Sequence, residues 1–115
     1  MENLATVKAE MMKTSRNAAE TFFNGVLGGK DRFMCGFAWI TITPKHKGNT
    51  KLGKAERVEY KELGFELDWT GKTFQLWNPS KMNCQNVDTL LVGAQAGAKY
   101  LKELGYNASA SSRLD

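Results

Sequence analysis

The sequence predicts an α+β fold: a ferredoxin-like β-α-β-β-α-β sheet with an added N-terminal amphipathic helix. Three observations lead there. The hydrophobic period switches along the chain from three or four residues to two, then back again. Two near-identical pentapeptides, KELGF at 61–65 and KELGY at 102–106, sit in matching contexts in the two halves. Each reads as a last helical turn, a glycine stop and an aromatic opening a strand. Between them, FELDW and TFQLW flank Thr70-Gly71-Lys72, the pattern of a hairpin with glycine at its turn.

The elements follow in order. Residues 2 to about 25 carry Leu4, Val7, Met11, Ala18, Phe22 and Val26 at helical spacing, and the Gly-rich GVLGGKD loop closes that helix. Period-two alternation over 33–43 (FMCGFAWITIT) gives the first strand. PKHKGNT is a loop, and 52–63 a short helix ending at Gly64. Strands over 65–69 and 73–77 make the hairpin, and NPSKMNCQ forms a second loop. In 87–104, Val87, Leu90, Leu91, Ala94, Ala98 and Leu101 share one helical face, with Asn86 as N-cap and Asp88 in the positive first turn. Gly105 stops it, and NASASSRL supplies a short last strand. Gly93 and Gly97 suit close packing on the sheet or on another helix. Residues 1–30 are therefore an N-terminal helix and Gly-rich loop, and 31–115 the α+β domain, in 115 residues that suit one domain overall.

Composition narrows the function. Hydrophobic residues make up 42% of the chain, enough for a core, which argues against disorder. No run approaches the ~20 apolar residues of a membrane span, and charges throughout MENLATVKAEMMK argue against a secretory leader. A cytoplasmic protein with no membrane partner is expected. Cys35 and Cys84 are too few and too far apart for a disulfide framework or zinc cluster, so reduced thiols, no metal and no cofactor are expected.

The net charge of +4 is modest, but five of the sixteen Lys and Arg fall in 45–57 with a single acid. There Lys45, Lys47, Asn49 and Lys51 precede a helix that carries Arg57, so lysines and backbone amides are placed to converge on a phosphate. No G-x-G-x-x-G is present. Gly71-Lys72-Thr73 resembles the end of a phosphate loop, yet Glu66 stands where its first glycine belongs, and the segment lies in a hairpin. His46 is the only histidine and has no nucleophile or carboxylate near it in sequence. Asp68, Asp88 and Glu66 each have a structural use. The chain reads as a non-enzyme.

Strand faces carry the second clue. Met34, Gly36, Ala38, Ile40 and Ile42 suit helix packing, while Phe33, Cys35, Phe37, Trp39, Thr41 and Thr43 take the other side. Phe74 and Leu76 alternate with Thr73, Gln75 and Trp77, and Ala108 and Ala110 with Ser109, Ser111 and Arg113. Trp39, Trp77, Gln75 and Arg113 are thereby expected together on the less buried face, an assignment that a one-residue slip would invert. Such a face stacks bases in RNA-binding sheets. Alternatively the leading helix or a second copy covers it, or the helix covers Phe33 and Phe37 alone and leaves Trp77 and Arg113 at a rim pocket.

The combined expectation is a small binding module for a phosphate-bearing ligand, single-stranded nucleic acid or a nucleotide. Lys45, Lys47, Asn49, Lys51 and Arg57 meet phosphates, Trp77 stacks, and Asn78, Gln85, Asn86 and Arg113 bond polar edges. This requires Lys47, Trp77 and Arg113 to be neighbours. The alternative is a protein partner through the Met- and Phe-bearing N-terminal helix and the aromatic sheet face, or a homodimer through that helix. Finally, DWTGK, WNPS and QNVD resemble segments of small accessory proteins of phage or mobile elements. That resemblance implies a viral inhibitor of a host defence protein, or a sponge for a nucleotide signal.

Overall fold

The computed structural model describes residues 3–31 and 33–115. Seven elements run in order: α1 (Leu4–Gly25), β1 (Gly36–Ile42), α2 (Lys51–Glu62), β2 (Glu66–Leu67), β3 (Phe74–Trp77), α3 (Val87–Glu103) and β4 (Ala108–Leu114). The architecture is mixed α+β, with three helices and one four-stranded antiparallel sheet in the order β2-β3-β1-β4.

Caps set the helix starts. Asn3 Oδ1 accepts from Ala5 N at 2.7 Å, Thr50 Oγ1 from Gly53 N at 3.0 Å and Asn86 Oδ1 from Thr89 N at 2.8 Å. Each satisfies a backbone donor that the first turn leaves without a helical acceptor. The repeated pentapeptides set two of the ends. Phe65 N donates to Tyr60 O and Gly64 N to Lys61 O; Tyr106 N donates to Leu101 O and Gly105 N to Lys102 O. Both are Schellman closures, and both glycines hold the left-handed backbone that the motif needs (φ 97° and 100°).

Strand limits are tighter than the alternation predicts, for local reasons. Phe33 has φ 68°, so β1 cannot extend back to it, and Cys35 makes only an isolated bridge to Asn86. In β2, the Asp68 carboxylate captures the amides of Thr70 and Gly71 and the hydroxyls of Thr70 and Thr73. After Asp68 N donates to Thr73 O at 2.9 Å, that turn takes the place of strand pairing. Asn78 ends β3 at φ 46°.

One buried cluster joins the even positions of β1 (Ala38, Ile40, Ile42) to Phe74, Leu76, Leu63, Phe65, Leu90, Ala94, Ala98 and Leu101. Val7, Met11 and Ala19 of α1 belong to the same cluster. A Cβ placed on Gly97 would stand 2.8 Å from Ile40 Cδ1, 3.5 Å from Ser15 Cβ and 3.6 Å from Met11 Cγ. Sheet, α3 and α1 therefore meet at that glycine.

This geometry corrects the expectation that α1 folds over the aromatic face of the sheet. It docks on the opposite side, against α3. It also corrects the apolar stripe: the buried positions of α1 are Val7, Met11, Ser15 and Ala19, while Val26 is exposed and Phe22 only half-buried. Small side chains win because Gly93 and Gly97 bring the two helices close. A Cβ on Gly93 would already stand 3.1 Å from Ser15 O and 3.2 Å from Ala19 Cβ. The apolar face expected to pair two copies is thus used within the chain.

Candidate ligand-binding face

With all three helices packed into one core, the odd positions of β1 remain on the other side of the sheet. Register brings their partners together: Trp39 opposite Trp77 and Ser111, Phe37 opposite Arg113, and Thr41 opposite Gln75 and Ser109. Trp39 and Trp77 stack, with ring centroids 4.6 Å apart and planes inclined by 22°. Phe37 meets Trp77 edge-on at 5.9 Å and 62°. The Arg113 guanidinium lies 5.6 Å from the centre of the Phe37 ring, within cation–π range. Trp77 Nε1 donates to Gln75 Oε1 at 3.0 Å, which fixes the indole's orientation.

The row remains accessible. Trp77 is 42% exposed and Phe37 39%, although each is large, apolar and in mid-sheet. Phe37 and Trp77 touch edge-on, so their exposed surface is contiguous, which makes this face a candidate site. β2 is only two residues long, so the edge of β3 beside Trp77 is left open. A notch of about 280 Å³ forms there, lined by Glu66, Gln75, Leu76, Trp77 and Lys81.

The basic loop lies elsewhere. β1 runs away from Phe37 and Trp39 toward Ile42, advancing roughly 3.3 Å per residue, and Lys45 to Lys51 follow that far end. There the Lys45 ammonium donates to Gly105 O, in the α3–β4 turn. The loop after β3 borders the opposite end of β1, where Gly36 N donates to Gln85 O and Asn78 N to Ala38 O. The two expected halves of the site are therefore separated by the length of the sheet. Lys47 is not a neighbour of Trp77 or Arg113.

Several of the expected ligand contacts make hydrogen bonds within the chain. Arg57 Nη1 donates to His46 O at 3.0 Å and Gly53 O at 2.9 Å, tying the basic loop to α2. Glu56 accepts from the amides of Lys45 and His46 and from the Tyr60 hydroxyl. Burial alone would raise the Glu56 pKa, but these donors hold it below the usual carboxylate value. Lys47 and Asn49 are exposed on this loop, and Lys51 is exposed as the first residue of α2.

In the second loop, Asn78 Nδ2 donates to Met82 O at 3.2 Å and its Oδ1 accepts from Ser80 Oγ at 3.1 Å. Asn86 is 1% exposed, and its Oδ1 accepts from both the amide and the hydroxyl of Thr89. Gln85 Oε1 accepts from Cys35 Sγ at 3.5 Å. The Asp31 carboxylate takes the amides of Gln85 and Asn86 at 2.9 and 3.0 Å, pinning the loop to the Gly-rich segment. The side chains of Asn78, Ser80 and Asn86 thus bond within the loop and its helix cap, while Gln85 is exposed. Of the expected set, Trp77 and Arg113 are brought together on the open face. Phe37 and Trp39 join them, as the period-two pattern of β1 already allowed.

The chain matches no protein-family model, and no curated protein or solved structure is significantly similar to it. Among the described residues no helix is long and apolar enough to cross a membrane, and no three His, Cys, Asp or Glu side chains gather as metal ligands.

Proposed function

We propose that the open sheet face is a stacking platform for single-stranded nucleic acid or a nucleotide, and that the protein acts by binding without turnover. The row of exposed Phe37 and Trp77 with half-buried Trp39 on the two central strands, and Arg113 beside it, carries this reading. Four-stranded sheets that bind RNA place aromatics on such a face and stack two or three bases there. The β-α-β-β-α-β order and the β2-β3-β1-β4 sheet support a ferredoxin-like classification, with α1 as an addition. Arg113 supplies a cation for a phosphate or a plane for a base. The basic loop, at the far end of the sheet, adds long-range attraction for a polyanion.

Fluorescence titration of the tryptophans with short oligonucleotides, single-stranded and duplex, tests the proposal. Quenching by the single strand and not by the duplex is the expected result. No response to any single strand or mononucleotide at low salt would remove it.

A second reading, a protein partner such as the target of an inhibitor, is favoured by one observation. Trp69 at the hairpin tip is 95% exposed, next to the half-exposed Leu67. Truncating Trp69 separates the two: it leaves nucleic-acid binding intact if the sheet face is the site.

A further inference from the structure

We propose that β4 is a dimer edge, pairing with β4 of a second copy about a two-fold axis through Ser111. β4 is seven residues long and stands last in the sheet, with no described strand on its outer side. Thr43 N donates to Asn107 O and Asp115 N to Cys35 O, so the backbone groups of residues 107 and 115 turn inward toward β1. Direction alternates along a strand, which turns those of Ala108, Ala110, Ser112 and Leu114 outward. Long edges are normally blunted by proline, a bulge or repeated charge. ASASSRL has only Arg113.

Charge selects the second copy as occupant. α3 lies along β4 in the opposite direction. Its first residue, Val87, packs at Gly36, the partner of Leu114, while Gln95, Lys99 and Lys102 line a groove of about 340 Å³ with Ser109 and Ala110. Helical spacing continues that outer row back through Val92 to Asp88. The row therefore has an acid at one end and two lysines at the other. An antiparallel copy sets Asp88 of each chain toward Lys99 and Lys102 of the other. The same pairing puts Arg113 opposite Ser109 of the second copy, so the two guanidinium groups do not meet. A two-fold axis normal to the sheet keeps both aromatic faces on one side, as one eight-stranded surface.

Sedimentation or light scattering across a wide concentration range tests this independently of any ligand. The expected result is a concentration-dependent species of twice the 12.8 kDa chain mass. Asp88→Lys should weaken it about tenfold, since each such step is roughly one lost attraction turned to repulsion. Adding Lys99→Asp and Lys102→Asp to that variant should restore it. Ala110→Pro removes one outward donor on an edge that tolerates proline and should leave a folded monomer by circular dichroism. A wild-type chain that stays monomeric at every concentration overturns the proposal. So does a dimer that all these variants leave unchanged.

Discussion

Trp39 and Trp77 face each other across β1 and β3, their rings stacked at 4.6 Å on the side of the sheet that no helix covers. The pair is built into the strand register, so its geometry exists before any ligand arrives. Such preorganised aromatic surface costs little conformational entropy on binding.

The pair should couple in stability as well as in recognition. In a double-mutant cycle over Trp39→Ala and Trp77→Ala, the double variant should lose about 0.5–1.5 kcal/mol less than the two single losses added together. Urea denaturation reads it. Strict additivity would mean the rings do not stack in solution.

Gly53 has a different constraint. A Cβ there would lie 1.9 Å from the Lys47 carbonyl oxygen, against backbone that cannot rotate away. Gly53→Ala should destabilise the fold by about 1–3 kcal/mol through forced displacement of the basic loop, despite alanine's better helix propensity. Thermal unfolding checks it.

Ser15 is buried between α1 and α3, and its hydroxyl has no hydrogen-bond partner among the described residues. Ser15→Ala removes a desolvated polar atom without enlarging the side chain. Stability should be unchanged or rise by about 1 kcal/mol. A clear loss would show that the hydroxyl is bonded.

Asn86 presents the opposite case, since its side chain bonds both the amide and the hydroxyl of Thr89 at the start of α3. Asn86→Ala should cost about 1–2 kcal/mol, read by urea denaturation.

The hairpin tip should respond to acid. The hydroxyls of Thr70 and Thr73 lower the Asp68 pKa from 3.8 to about 2. A folded-state value below the unfolded one means that the unfolded chain binds more protons across that window. The stabilisation is present above pH 3.8 and is lost as pH falls through about 2. Trp69 emission followed against pH should report the loosening, and Asp68→Asn should abolish that titration.

The sequence makes the architecture legible because several local signals agree. The glycine stops at Gly64 and Gly105, the Asn86 cap and the alternation in GFAWITI all point to the elements found. The face assignment of Trp39, Gln75, Trp77 and Arg113 also matches the register. What pattern could not reach is long-range. The docking side of α1 depends on Ser15 and Ala19 fitting Gly93 and Gly97, a steric match between segments far apart in sequence. The distance between Lys47 and Trp77 depends on which end of the sheet each loop leaves from, and composition does not encode that. Asn78 and Asn86 had the chemistry of ligand contacts, but their side chains close turns and caps.

The central claim is that the aromatic face, and not the basic loop, holds the ligand. Affinity for a short single-stranded oligonucleotide, compared between Trp77→Ala and a Lys47→Ala/Lys51→Ala double variant, tests it most directly. Trp77→Ala should lose about 1–3 kcal/mol, while the lysine pair should change mainly the salt dependence. Full affinity in Trp77→Ala, with binding abolished by the lysine substitutions, would contradict it.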